Sequence, residues 1–370
     1  MNEIPVVRLG LIGCGLIAKA HGHAALQTGS GVEFTACASR RLASAEAWAA
    51  DFGVQRSHVY DDAERMLRRE QLDGVVICTW PADHRNHIDM CLSHGVRHIL
   101  CEKALVTRAV DALDIWRHSR QLDAVVLEGF MYRYHDAIRH VKERVTAGHL
   151  GAIDSIHATF HMLDSPEARS GRPTWRYDAN AGGGVPHDFL CYPVDAAGWL
   201  SGGLPQRVTA IGARGAGGGT IDRLYGTIEY DNGCVASVSS SRHGAFDQCL
   251  EVIGSRAQIR LPTAWSIVGD ALVSESRSTR FLLREETSTR FVSETQTERL
   301  VELPVYGRQL RHFADVIHGH ASPAVSLRES VMNAYVLDAL VAAMDGARMM
   351  PVNIPADIGL ATSIAPQPSL

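Results

Sequence analysis

Residues 8–21 read Arg8-Leu-Gly-Leu-Ile-Gly13-Cys-Gly15-Leu-Ile-Ala18-Lys-Ala-His21. An apolar, strand-like run (Val6, Val7, Leu9, Leu11, Ile12) leads directly into Gly13-x-Gly15-x-x-Ala18, and a helical pattern follows. This is a dinucleotide fingerprint in its required place between a strand and a helix. Gly13 permits the tight turn. Gly15, lacking a Cβ, lets a pyrophosphate approach the backbone, and Ala18 lets the helix lie close on the sheet. The helix N-terminus then offers N–H groups and a partial positive charge to phosphates.

Outward from this stretch, the chain alternates strand and helix from Val6 to about Glu128. Strands are expected at Arg8–Ile12, Glu33–Ser39, Gly74–Thr79, His98–Glu102 and Ala124–Glu128. Helices are expected at Gly15–Thr28, Ala43–Phe52, Asp62–Arg69, His84–Gly95 and Arg108–Arg120. Such alternation predicts a parallel sheet covered by helices on both faces, with ligands beyond the carboxyl ends of the strands. Thr79-Trp80-Pro81, Glu102-Lys103 and Glu128-Gly129 fall at those ends.

The second half reads differently. After a helix at about Ala137–Ala147 come strand-like runs at Ala152–His161, Arg207–Ala213, Asp222–Tyr230, Cys234–Ser241 and Cys249–Gly254, with Asp231-Asn-Gly233 as a hairpin turn. Helices follow at Tyr306–His318 and Leu327–Met344, then a last strand at 351–355. The fold class is therefore α/β. An N-terminal Rossmann parallel sheet (1–128) precedes a C-terminal α+β domain with a large, mostly antiparallel open sheet (129–355), and 356–370 read as a frayed tail. The Gly-rich stretch 214–219 reads as a hairpin loop, since no helix follows it.

A chain of 370 residues is long enough for two domains. Its net charge of −5 gives no indication of nucleic acid or an anionic membrane as partner. No apolar run is long enough to span a bilayer and the N-terminus lacks a signal-peptide pattern, so a cytoplasmic location is expected. The eight cysteines are scattered without a C-x-x-C, which favours reduced, buried thiols over disulfides or a metal site. His84 and His87 share a helix face but lack a third ligand, so no metal is expected.

The second strand ends in Ser39-Arg40-Arg41, with no carboxylate before Glu46. An acidic residue here would hold the ribose hydroxyls of NAD. A serine and arginines instead suit the 2′-phosphate of NADP, so NADP(H) is favoured and NAD(H) remains open.

Two further motifs are His98-Ile-Leu-Cys-Glu102-Lys103 and Gly182-Gly-Gly-Val-Pro-His187-Asp188-Phe-Leu-Cys-Tyr192-Pro193. With the glycine fingerprint, they resemble the glucose–fructose oxidoreductase / inositol 2-dehydrogenase / MocA family from Arg8 to about Val352. The tyrosine four residues after Asp188, with Glu128-Gly-Phe-Met-Tyr-Arg-Tyr134, resembles the branch of NADP-dependent sugar dehydrogenases and deoxysugar ketoreductases.

The resemblance implies a nicotinamide buried between the two domains, and a homodimer or homotetramer built on the C-terminal sheet. It implies cofactor contacts from Gly13, Gly15, Leu16, Ile17, Thr79, Trp80, Pro81, His84, Glu102 and Lys103. Thr79 and Pro81 fall near the nicotinamide ribose and Trp80 near the pyrophosphate. The family's usual Glu-Lys-Pro is Glu102-Lys103-Ala104 here. Tertiary packing is expected to hold the loop without the proline, so that Ala104→Pro leaves turnover within about tenfold.

Moving a hydride between a carbinol carbon and a nicotinamide requires a group that exchanges the hydroxyl proton. Tyr192 fills this role if a nearby ammonium draws its phenol down from about 10. Lys103 is then an electrostatic activator, or itself the proton donor. Asp188 orients the lysine or anchors a sugar hydroxyl. Arg133, Arg176 and His187 are further substrate-binding candidates, Gly182–Gly184 are read as allowing close approach of ligand, and Asp195 is read as capping or orienting the following helix.

The expected activity is interconversion of a secondary alcohol and a ketone on a sugar, nucleotide-sugar or glycoside. The alternatives are oxidation of an aldose to its lactone, and a dinucleotide-sensing regulator without turnover.

Overall fold

The computed structural model describes residues 5–27, 31–164, 174–215, 219–265, 271–282, 289–300 and 305–359, with backbone alone for 271–282 and 289–300. Sheet A is built from β1 (Val7–Ile12), β2 (Val32–Ala38), β3 (Val59–Tyr60), β4 (Gly74–Ile77), β5 (His98–Glu102) and β6 (Val125–Gly129). All its pairings are parallel, in the order β3-β2-β1-β4-β5-β6. Helices α1 (Leu16–Ala25), α2 (Leu42–Phe52), α3 (Ala63–Arg69), α4 (Pro81–Ser93) and α5 (Ala109–Gln121) connect the strands. The order reverses between β1 and β4, so the ends of those strands open the crevice in which ligands of such sheets bind.

Two boundaries differ instructively from the sequence reading. Helix α4 starts at Pro81 rather than His84, with Trp80 as its N-cap. Proline at the first helical position is preorganised and lacks only an N–H that would have had no partner. Strand β4 correspondingly ends at Ile77, which leaves Cys78–Trp80 as the turn facing the crevice. The short edge strand β3 was not expected.

The chain then passes through α6 (Asp136–Thr146) into β7 (Ile153–His161). A π-helical turn, Pro186–Leu190, runs directly into α7 (Cys191–Ser201). The remaining strands are β8 (Pro205–Arg214), β9 (Ile221–Tyr230), β10 (Val235–Ser241), β11 (Leu250–Gly254), β12 (Gln258–Leu261), β13 (Ala271–Leu282), β14 (Thr289–Leu300) and β15 (Met350–Pro351). They form a nine-stranded sheet B in the order β14-β13-β12-β11-β7-β10-β9-β8-β15. Only the β7–β10 pairing is parallel. The Asp231–Gly233 turn joins β9 to β10 as expected, and Gly233 adopts φ +86°. The loop at 214–219 joins antiparallel β8 and β9, although its centre, 216–218, lies outside the described residues. Strands β12 to β14 extend the sheet beyond what the sequence indicated.

One face of sheet B packs on α6, α7 and the long helix α9 (Leu327–Gly346), burying Ile156, Ala158, Leu224, Ala236, Val238 and Leu340. The opposite face is open, with Ile211, Tyr225 and Val235 at 74%, 40% and 40% exposure. Helix α8 (Val305–Ile317) returns to the first half and buries Leu310, Phe313 and Ala314 with Val7, Leu9 and Ala18. The expected frayed tail is corrected in its first part. Ala356–Gly359 forms a helical turn, α10, whose Ile358 is fully buried in the same core as Ile99 and Ile115 of the first half. Residues 360–370 lie outside the described residues.

Candidate active site

The glycine turn has the form that a dinucleotide requires. Gly13 sits at φ +95°, and a Cβ there would lie 2.8 Å from the Cys78 carbonyl carbon and oxygen. A Cβ on Gly15 would meet nothing within 4 Å, so the space above this residue is open. Gly15 is the N-cap of α1, no side chain caps that helix, and its first turn carries no acidic residue. Its leading N–H groups therefore face that space, and the chain fits a bound pyrophosphate there. Leu16 is exposed at the rim, whereas Ile17 is half-buried against the core.

Ser39 follows β2 directly, and Arg40 and Arg41 beyond it are exposed. The Arg40 guanidinium lies 5.0 Å above the Trp80 ring and 4.0 Å from Asp83. Trp80 is 41% exposed, so this ring forms a surface beside the arginine rather than a core packing residue.

Several of the residues expected at the cofactor also hold neighbouring segments together. His84 is fully buried, with Nδ1 2.9 Å from the Ala104 carbonyl oxygen and Nε2 3.1 Å from that of Thr79. Burial lowers its pKa. The ring ties the β4 turn to the β5 loop from beneath. Thr79 Oγ1 lies 3.2 Å from His87 Nδ1, and Pro81 abuts the Gly182 backbone.

The glycine run is closely packed by protein. A Cβ at Gly182 would meet Thr107 at 2.7 Å and Pro81 at 2.9 Å, and one at Gly183 would meet the Trp175 carbonyl oxygen at 2.4 Å. Protein packing alone thus requires glycine at both positions. His187 lies beneath them against the backbone of Gly182 and Thr107, with its pKa lowered to about 4 by burial. Its ring is therefore neutral.

Arg133 is deeply buried. Its side chain is 1% exposed, with Nε 2.8 Å and Nη2 2.6 Å from the two Asp195 carboxylate oxygens. Nη1 donates to Glu329 at 3.1 Å. Asp195 also accepts from Tyr132 and Asn333, so it locks α7 to neighbouring elements rather than capping a helix.

The remaining motif residues converge. Lys103, at the end of β5, donates from Nζ to the Asp188 backbone carbonyl at 2.6 Å and lies 3.5 Å from Asp188 Oδ1. The same ammonium sits 5.0 Å from the centroid of the Tyr192 ring. The Lys103–Ala104 peptide bond is cis. Glu102 accepts from, or donates to, buried His21 at 2.8 Å (Nε2 to Oε1), and the His21 ring packs edge-on to Tyr306.

Tyr192 is 6% exposed within an aromatic box of Phe130, Phe160, Tyr132 and Trp265, and its hydroxyl lies 3.8 Å from Met131 Sδ. Burial first, then the nearby Cys191, Glu102 and Asp188, push its pKa well above the ordinary phenol value. This reverses the expected lowering. The lysine faces the ring rather than the oxygen, and the desolvation of a phenolate outweighs it. The phenol therefore keeps its proton.

Asp188 is 2% exposed. Its Oδ2 accepts from Arg176 Nε at 2.9 Å and from Arg242 Nη2 at 2.8 Å. Despite burial, Lys103, Arg176 and Arg242 hold its carboxyl below the usual range. Both of its oxygens thus face protein cations. Arg176 keeps a side chain 42% exposed beside this cluster.

Sequence reading missed Arg242, His21, Met131 and Tyr306. Arg242 and His21 lie outside the motifs, and their partners are 54 and 81 residues away. No metal-binding group of His, Cys, Asp or Glu occurs among the described residues, and all eight cysteines are free thiols.

A doubly wound dinucleotide sheet, joined to a second domain whose π-helical turn and helix α7 bring an aspartate and a tyrosine to a lysine, defines a nicotinamide-dependent oxidoreductase. Residues 7–130 match the oxidoreductase family with an NAD-binding Rossmann fold, GFO/IDH/MocA, and residues 138–260 match the GFO/IDH/MocA C-terminal domain. The chain belongs to this family.

It is 29% identical over 308 residues to D-xylose 1-dehydrogenase (NADP(+)) 2 of Haloferax volcanii, covering 83% of this chain and 88% of that protein. It is 32% identical over 205 residues to the dTDP-3,4-didehydro-2,6-dideoxy-alpha-D-glucose 3-reductase of Actinomadura kijaniata, covering 55% and 59%. Among solved structures, a 3-ketoreductase from Actinomadura kijaniata in complex with NADP and TDP-benzene superimposes with a TM-score of 0.78 at 23% identity, covering 92% of this chain and 98% of that one.

Proposed function

We propose that this chain interconverts a secondary alcohol and a ketone on a sugar, nucleotide-sugar or glycoside, using NADP(H). One observation carries the reading: Lys103, from sheet A, and Asp188, 85 residues later, meet at 2.6 Å beside the Tyr192 ring. The relatives that act on xylose and on a deoxysugar nucleotide support a sugar as substrate. Arg40 and Arg41 at the end of β2, with no acidic neighbour before Glu46, support the 2′-phosphate.

The cofactor, when bound, supplies or accepts a hydride at its nicotinamide ring. In reduction, the Tyr192 phenol gives its proton to the oxygen that becomes the hydroxyl. The Lys103 ammonium offers positive charge to that oxygen while it is negative. The Asp188 carbonyl and carboxylate hold the ammonium in place. Arg176, beside Asp188 and partly exposed, is the residue we assign to substrate contact.

The open face of sheet B, with Ile211, Tyr225 and Val235 exposed, supports a homodimer or homotetramer formed through it. No helix among the described residues is long and apolar enough to cross a membrane, and the family reading supports a cytoplasmic location.

The decisive experiment follows NADPH oxidation against a panel of keto-sugars and their nucleotide conjugates, in parallel with NADP reduction by aldoses. A ketone-dependent signal that Tyr192→Phe lowers roughly a hundredfold is expected. Formation of a sugar acid from an aldose would instead establish lactone chemistry. Binding of NADPH without turnover of any sugar would establish a sensor.

A further inference from the structure

Arg242 follows β10 directly and is not part of any motif. Its side chain is 1% exposed. Nη2 donates to Asp188 Oδ2 at 2.8 Å and Nη1 to Asp164 Oδ1 at 3.3 Å. The guanidinium also lies 4.7 Å from the Phe189 ring centroid and 5.3 Å from that of Tyr177. The Tyr177 hydroxyl donates to the other Asp164 oxygen. The backbone reinforces the pairing, since Asp164 N donates to the Arg242 carbonyl at 3.2 Å. A fully desolvated arginine is costly unless anions surround it, and this one is flanked by two carboxylates.

We propose that Arg242 is a positioning residue for the proposed reaction. It fixes the Asp188 carboxylate from the sheet side and thereby fixes the carbonyl on which the Lys103 ammonium rests. The division of contacts carries this assignment. Both arginines reach the same oxygen, Oδ2, while Lys103 is bound at 2.6 Å to the neutral carbonyl and stands 3.5 Å from Oδ1. The arginines therefore draw the carboxylate's charge away from the lysine, whose other N–H groups can turn toward substrate. Arg176 is partly exposed and can move with ligand. Arg242, buried between two rings, is the fixed member of the pair.

The groups facing Asp188 are Lys103 from β5, Arg176 and Tyr177 from the turn before the glycine run, and Arg242 from β10 with Asp164 beyond β7. His187 and Tyr192 adjoin it along its own segment. Removing Arg242 leaves the carboxylate buried with fewer counter-charges, so its protonation moves upward in pH.

The test titrates Asp188 by carbon-13 NMR of protein labelled at aspartate carboxyls, with the signal assigned through Asp188→Asn. Arg242→Met is expected to raise the Asp188 midpoint by at least about one pH unit. The acid limb of kcat should rise with it, while KM for NADPH stays unchanged. Arg242→Lys should restore most of the midpoint. A folded Arg242→Met protein whose Asp188 midpoint matches wild type would overturn the proposal.

Should Arg242→Met fail to fold, Arg242→Lys carries the test. Its ammonium cannot hold Asp164 and Asp188 in the same fork, so kcat should fall at least about fivefold at constant KM, and an unchanged kcat overturns the assignment. The proposal rests on the reading of Lys103 as part of the reaction centre. Failure of that reading shows separately, as wild-type protein without sugar-dependent turnover, and the NMR titration needs no turnover.

Discussion

Glu128 lies one residue before the end of β6 and is 3% exposed, with Oε1 accepting the Leu105 backbone N–H at 2.8 Å. Burial pushes its pKa from 4.5 up to about 8. Between those values the native protein keeps a proton that the unfolded chain has released. Stability is therefore full below the lower value, falls as pH rises across the window, and levels off above the upper one. A window of about 3.5 pH units at roughly 1.4 kcal/mol per unit corresponds to a loss on the order of 5 kcal/mol.

Glu128→Gln keeps the shape and the acceptor for Leu105 but cannot ionise. Urea unfolding at a series of pH values should therefore find the variant and wild type equal near about pH 5. By about pH 9 the variant should be more stable by several kcal/mol. A difference that stays constant across this range would refute the reasoning, because it would mean that Glu128 titrates alike in the folded and unfolded chains. Leu105 follows Lys103 by two residues, so the same ionisation acts on the loop that carries the ammonium.

Tyr192→Phe should lower kcat by roughly a hundredfold while leaving NADPH affinity intact, measured by steady-state kinetics and cofactor fluorescence. Arg133→Met should cost about 3–5 kcal/mol in unfolding free energy, because Asp195 is left buried without its cation; a loss of activity at unchanged stability would restore Arg133 as a substrate ligand. Arg40→Ala should weaken NADPH binding by about tenfold or more and leave NADH affinity nearly unchanged, as read by calorimetry.

Much of the first half was legible because its strands and helices alternate in short apolar periods bounded by glycine turns. The same patterning failed at α4, where proline at the first position starts a helix earlier than its apolar residues suggest. It failed again at β13 and β14, whose sequences (Ser-Glu-Ser-Arg-Ser-Thr-Arg and Ser-Glu-Thr-Gln-Thr-Glu-Arg) are polar on both faces. The convergence of Lys103, Asp188 and Tyr192 was readable from motif spacing. Their environments were not. An ammonium beside a tyrosine suggests a lowered phenol pKa, but only coordinates reveal that it faces the ring and that the oxygen is desolvated. Arg133 after a strand end reads as a ligand contact until Asp195, 62 residues away, is found against it. Arg242 carries no local signal, since its significance lies wholly in partners that the fold delivers.

The return of α8 and α10 to the first half has a consequence for biosynthesis. Phe313 and Ile358, both without solvent exposure, complete apolar cores that begin with Val7 and Ile12. While the ribosome is still making sheet B, the nascent dinucleotide half must keep those surfaces uncovered, at a translation rate of about 5–20 residues per second. A gene cut near residue 129 would consequently yield a sticky fragment rather than a self-sufficient nucleotide-binding module, and adding residues 305–359 back as a separate peptide should improve its solubility.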